Sequence, residues 1–209
     1  MAMASRKVSR LPADFLEHIR SLEDAYLQSP DPILQSGFAG GAERWRLERE
    51  PILDAIEDDG DLLDIGCANG YLAHCLIEWA RERGLRLAPH GIDIGPRLIE
   101  QARIWNPGFE ANFDVANAWE WRPPRRFRYV YSLYDCVPED RLGEYVRRLL
   151  DHVVAPGGRL IIGAYGSRSA GTPAFSVAER LAAAGYTVAG TSAGGEPPLT
   201  AFAWIDNGR

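Results

Sequence analysis

The residues best placed to do chemistry lie where an aliphatic run meets a bare turn. Asp64 ends the stretch "LLD", and Ile65, Gly66, Cys67, Ala68, Asn69 and Gly70 follow it with little side-chain bulk. Such a turn lets a ligand lie against backbone, and a helix starting after it offers free N–H groups. A second acid, Asp93, closes the next apolar run, 23 residues past Gly70. The spacing is G-x-A-x-G, not the G-x-G-x-x-G of dinucleotide-binding turns, and Asp64 would repel a pyrophosphate. Two carboxylates flanking a bare turn suit a ligand that carries positive charge, an ammonium and a sulfonium. An oxidoreductase using a nicotinamide nucleotide is the rival this spacing disfavours.

Positioning that turn requires alternating strands and helices, and the sequence supplies them from about residue 58. Strands are expected at "DLLDIG", "LAPHGIDI", "FEANFDVANA", "FRYVYSL", "RLIIGAY", "YTVAGTSA" and "LTAFAWID". Helices are expected at "YLAHCLIEWARERG", "GPRLIEQARIW", "EDRLGEYVRRLLDHVV" and from Pro173 to Ala184. Strands separated by helices imply a parallel sheet. The last two are joined only by "GGEPP", so one of them must run antiparallel. The expected fold is therefore α/β: seven strands, mostly parallel, with a C-terminal antiparallel hairpin and helices on both faces.

Residues 1–57 read as a helical extension or lid and residues 58–209 as the ligand-binding domain. Within the extension Phe15, Ile19, Leu22 and Tyr26 form one helical stripe. A second helix is expected from Ala42 to Ile56, kinked or restarted at Pro51.

The bulk properties narrow the class. With 23 basic and 29 acidic residues in 209, the net charge of −6 argues against a broad nucleic-acid face. No apolar stretch is long enough to cross a bilayer, and "MAMASRKVSR" lacks the apolar segment of a secretory signal. Three cysteines, Cys67, Cys75 and Cys136, without C-x-x-C spacing suit neither a disulfide framework nor a metal site. A reducing, cytoplasmic setting is the expectation, with no metal, no membrane and no nucleic acid as partner.

In five stretches the sequence resembles the class I S-adenosylmethionine-dependent methyltransferases, which have a Rossmann-like fold: "LLDIGCANG", "HGIDIGPRLIEQAR", "FDVANAWEW", "FRYVYSLYDCVP" and "VVAPGGRLIIGAY". The resemblance implies S-adenosylmethionine as methyl donor and S-adenosylhomocysteine as product. It places Asp64, Gly66, Cys67, Ala68 and Gly70 around the methionine part and Asp93, with Ile94, at the ribose. Asn117 takes the place of the usual adenine-binding acid, with Ala118 and Trp119 beside the ring. Ser132 and Leu133 border the methionine amino group, and Tyr134 and Asp135 face the acceptor.

Gln35, Trp45 and Arg49 are expected in the lid, Arg49 against the methionine carboxylate. Tyr134, Asp135 and His18 are the candidate bases. The Asn/Asp-Pro-Pro-aromatic tetrad of the adenine- and glutamine-methylating relatives is missing, with "SLYD" in its place, and so are the metal ligands of the catechol type, with "YGSRS" in theirs. That leaves a small-molecule acceptor, walled by Trp45, Tyr134 and Tyr165, with the chain a monomer or homodimer. The competing expectation is an inactive, donor-binding regulatory module.

Overall fold

The computed structural model describes residues 11–168 and 170–208. Seven strands form one sheet: β1 (Gly60–Ile65), β2 (Leu87–Asp93), β3 (Phe113–Val115), β4 (Phe127–Leu133), β5 (Val154–Tyr165), β6 (Gly190–Gly194) and β7 (Thr200–Asp206). Their spatial order is β3-β2-β1-β4-β5-β7-β6, with β7 antiparallel to both its neighbours. The order of strands reverses at β1, which pairs β2 on one side and β4 on the other, parallel to both. Ligand crevices in open parallel sheets form above such a switch point, and the bare turn begins there.

Alternate residues of β1 feed two cores, as a pleated strand buried on both faces must. Leu63 and Ile65 join Val130 and Ile162 in a cluster with the helices α5 (Leu142–His152) and α6 (Val177–Ala183). Leu62 faces the other way, with Tyr129, Tyr131 and Ile161, against α3 (Tyr71–Glu82). The same second core takes Ile33, Phe38, Trp45, Ile52, Leu53 and Ile56, so the N-terminal segment shares its interior with the sheet.

Several elements differ from the sequence reading, each for a local reason. The expected second helix is α2 (Gly41–Arg49) followed by a 3-10 turn, Glu50–Ala55. Pro51 has no N–H to continue the α ladder. The third strand is only Phe113–Val115, because Asn117 Oδ1 accepts the Trp119 N–H at 2.8 Å and turns the chain. The last helix begins at Val177, since Ser167 and Thr172 exchange backbone hydrogen bonds of 2.9 and 3.0 Å and hold the preceding segment in a loop. The "PGG" turn lies within β5 as an irregularity: Phe127 pairs Val154 while Tyr129 pairs Arg159.

Two further helices bound the crevice, α1 (Ala13–Tyr26) and α4 (Pro96–Trp105). No residue of α1 is fully buried, and its expected stripe lies half-buried over the strand ends. Glu23 fixes it in place by accepting the Arg97 and Leu98 N–H groups at 2.7 and 3.3 Å. A carboxylate at the free N–H groups of α4 is favoured there.

Gly70, at φ 69°, is where the turn meets α4: a Cβ there would lie 2.6 Å from Ala102 Cβ and 2.8 Å from Ala102 Cα. Gly70→Ala combines left-handed strain with a clash against helix backbone. It should destabilise the fold by about 1–3 kcal/mol or more, read from the midpoint of urea unfolding.

Candidate functional site

The turn after β1 is closed by a carboxylate from the next strand. Asp93 Oδ2 accepts the Ala68 N–H at 2.9 Å, and Oδ1 accepts the Gly95 N–H at 2.8 Å. Burial raises the Asp93 carboxyl, while these backbone donors oppose the rise. Ala68 sits at φ 46°, among the described residues the one non-glycine in the left-handed region. Such a conformation persists when its surroundings over-determine it, and the Asp93 bond is the restraint. Gly66 and Gly70, at φ 81° and 69°, supply the other left-handed positions without strain.

Asn69 was not singled out by sequence, yet it is completely buried. Its Nδ2 donates to the Pro32 carbonyl at 2.9 Å and to Gln35 Oε1 at 3.1 Å, and its Oδ1 accepts the Tyr71 N–H at 3.2 Å. One side chain thus starts α3 and holds the N-terminal segment to the bare turn. Gln35, expected as a lid contact, is the other half of this latch, with Nε2 donating to the Ser29 carbonyl at 2.8 Å.

Asp64 is 2% exposed, and its Oδ2 has no hydrogen-bond partner. Burial first, then the negative charge of Asp93, pushes its carboxyl up to about 7. A buried carboxylate without a partner is costly, and an arriving cation would relieve it.

Two cavities open at the strand ends. The first, of about 60 Å³, is lined by Gly66, Asp93, Ile94, Asn117 and Ala118, with Leu11, Leu16 and Ile19 as its roof and Cys136 in its wall. It is narrow, and α1 forms one of its walls. The second is a wide cleft of about 590 Å³, lined by Leu133, Asp135, Tyr165 and Arg49 together with Tyr26 and the loop Ser36–Gly40. The 3-10 turn Tyr134–Cys136 divides them, with Asp135 facing one side and Cys136 the other.

Other expected residues lie elsewhere. Trp119 is wholly buried in the core beside Tyr145, with ring centroids 6.4 Å apart, and cannot stack on a ligand in either cavity. The Ser132 hydroxyl pairs with Tyr145 OH at 3.0 Å inside the same core. Cys67 points into a small cluster with Ala73, Ile99, Ala102 and Phe113. Trp45 donates its indole N–H to Cys75 Sγ at 3.4 Å between α2 and α3. His18 stands exposed on α1 and lines neither cavity. Tyr134 stacks on Phe175 with centroids 4.4 Å apart.

Burial also pushes the Cys136 thiol up to about 12, so it is a protonated wall and not a nucleophile. Among the described residues no cluster of His, Cys, Asp or Glu could hold a metal ion, and no helix is long and apolar enough to cross a membrane.

No family profile matches the chain. A trans-aconitate 2-methyltransferase of Enterobacter sp. (strain 638) is 33% identical over 94 residues, 44% of this chain and only 34% of that protein. Among solved structures, a chain from a complex that contains the Haloferax volcanii Trm112 methyltransferase activator superposes with a TM-score of 0.67. The identity is 12%, over 91% of this chain and 98% of that one. The DhpI–SAH complex gives a TM-score of 0.57 at 20% identity, over 90% and 93% of the two chains. An S-adenosylmethionine-dependent methyltransferase from Mesorhizobium loti gives 0.52 at 14%, over 79% and 98%. The fold is that of the S-adenosylmethionine-dependent methyltransferases, as the five sequence stretches implied.

Asn69→Ala removes three buried hydrogen bonds at once. It should cost about 1–3 kcal/mol and speed proteolytic cleavage between residues 28 and 40, at Leu34 or Phe38, read by limited chymotrypsin digestion with mass spectrometry. Cleavage at the wild-type rate would show that the latch holds nothing.

Proposed function

We propose that the chain is an S-adenosylmethionine-dependent methyltransferase acting on a small-molecule acceptor. The observation that carries this is Asp64, a buried, unpartnered carboxylate beside a turn bare enough for close approach. The donor offers two cationic groups, an ammonium and a sulfonium, and the adjoining cavity continues from Gly66 to Asp93, Asn117 and Ala118, in the order methionine, ribose, adenine. Each Asp93 oxygen uses one lone pair on backbone and keeps another for a ribose hydroxyl. The apolar roof of Leu11, Leu16 and Ile19 would cover the purine.

The donor brings an already activated methyl group, so the protein's part is placement and exclusion of water, which can account for roughly 7–11 kcal/mol of barrier. The acceptor would occupy the wide cleft, with Leu133 and Asp135 between it and the donor site. The protein around Asp135 raises its carboxyl, which brings it nearer the range of an effective general base. His18 is too far out on α1 for that part. Three unpaired thiols fit a reducing, cytoplasmic compartment.

The sign of the pH dependence follows from Asp64. Folding raises this carboxyl from 3.8 to about 7, so the folded chain holds a proton that the unfolded chain releases. Asp64 therefore costs nothing well below pH 3.8, costs increasingly as pH climbs to about 7, and costs the full amount above that. S-adenosylhomocysteine should raise the melting temperature, and its affinity, measured by calorimetry from pH 5.5 to 8.5, should weaken on acidification through about 7 as Asp64 protonates.

Asp64→Asn should melt higher than wild type without ligand at pH 8, by about 2–4 °C per kcal/mol relieved, yet gain little from S-adenosylhomocysteine. A wild-type melting point indifferent to S-adenosylhomocysteine would sink the proposal.

A further inference from the structure

Arg49 has no role in the donor site as built above, and its surroundings are unusual for a buried cation. It is 4% exposed and borders the wide cleft. Its guanidinium lies over three rings, 3.9 Å from the Tyr165 centroid, 4.5 Å from Phe38 and 4.8 Å from Trp45. These faces hold the guanidinium by its plane and leave its N–H edges to be matched.

The matching is incomplete. Nε has no partner, and the nearest acid is Glu48, 3.4 Å from one terminal nitrogen. Glu48 is already engaged by Arg44, through two hydrogen bonds of 3.0 and 2.7 Å to its other oxygen. Two arginines thus share one buried carboxylate, and the second, which borders the cleft, keeps a positive charge and an unmatched Nε. A buried charge in this state calls for a counter-ion, and the planar fork of arginine fits a carboxylate through two parallel bonds.

Position selects which carboxylate. The donor turn follows β1, whereas Arg49 rests on Tyr165 at the end of β5, with β4 lying between those two strands. Arg49 lines the wide cleft with Asp135 and not the narrow cavity beside Gly66 and Asp93, which puts the guanidinium on the acceptor side of the dividing turn.

Resting on the methyltransferase reading, we propose that the wide cleft takes an acceptor carrying a carboxylate, which Arg49 receives. The carboxylate either anchors the acceptor or is itself the methylated group. In the second case a carboxylate oxygen takes the methyl as its C–S bond breaks, leaving an ester and the neutral thioether, with no proton to remove.

The test uses the full chain saturated with S-adenosylhomocysteine. Small mono-, di- and tricarboxylates, trans-aconitate among them, are titrated beside their neutral amides and followed by thermal shift and calorimetry. At least one acid should bind tenfold or more tightly than its amide. Arg49→Lys, which keeps the charge and the fold but loses the fork, should weaken that acid at least tenfold, and Arg49→Met should weaken it further. S-adenosylhomocysteine itself should bind both variants within about threefold of wild type.

If no acid outbinds its amide in the wild-type complex, the proposal is overturned. It is equally overturned if both variants lose S-adenosylhomocysteine tenfold while binding 5′-methylthioadenosine normally, because Arg49 then serves the donor's own carboxylate. Wild-type protein that fails to bind S-adenosylhomocysteine at all would instead strike at the methyltransferase reading.

Discussion

The Asp93 carboxylate is the tie on which the crevice depends. It spans two neighbouring strand ends, taking one backbone N–H from the turn after β1 and one from the start of the segment leading to α4. It is the bond made to Ala68's own N–H, and so the direct restraint on a left-handed conformation that its Cβ disfavours, within a turn also held by Gly66, Cys67 and Gly70 backbone bonds. Were that bond lost, the turn could relax into a form that presents side chains instead of bare backbone. A carboxylate is suited to this because it accepts two donors in one plane and has lone pairs remaining. The same group can thus build the empty turn and still meet the hydroxyls of a ligand lying across it.

Around that tie the molecule keeps two buried charges of opposite sign apart. Asp64 is raised by burial and by another acid, with no cation among its causes. Arg49 is held on aromatic faces with only a distant share of Glu48. Had the two met, each would be satisfied and the strand ends would form an inert buried ion pair. Their separation costs stability, and what it leaves is one site for positive charge on the donor side and one for negative charge on the acceptor side. Proteins retain such unfavourable groups where binding supplies what folding withholds.

Much of this was legible in the sequence because it depends on local chemistry. Seven strands, their parallel run and the closing hairpin follow from segment lengths and from the five-residue "GGEPP" connection, too short for a crossover. Asp64, Gly66 and Gly70 are visible because an acid closing an aliphatic run and followed by spaced small residues is a purely local pattern. What was hidden depends on facing. Trp119 and Ser132 sit at strand or turn ends where one residue of rotation decides between cavity and core, and the Asn117 cap rotates Trp119 inward onto Tyr145. Asn69 looked like one more small residue of the turn, and its partners Pro32 and Gln35 lie more than 30 residues away. Glu23 likewise caps a helix some 74 residues further on, a contact no spacing rule reaches.

The two cavities differ in the way their contents would require. A purine and ribose are the same at every turnover, so their pocket can be narrow, apolar overhead and closed by a helix. That helix, α1, buries none of its residues fully, rests on the core through Phe15 and Leu16, and is tied to α4 by Glu23 near its end. The acceptor cleft is wide and carries its charges on side chains backed by aromatic faces. It is bounded by the loop Ser36–Gly40, on the far side of the Asn69 latch from α1. The two walls are not independent: Tyr26, the last residue of α1, lines the wide cleft and packs on Gly37 of that loop. A movement of α1 over the narrow cavity would therefore also be felt at the wide one, and the Asn69 latch limits how far it can travel.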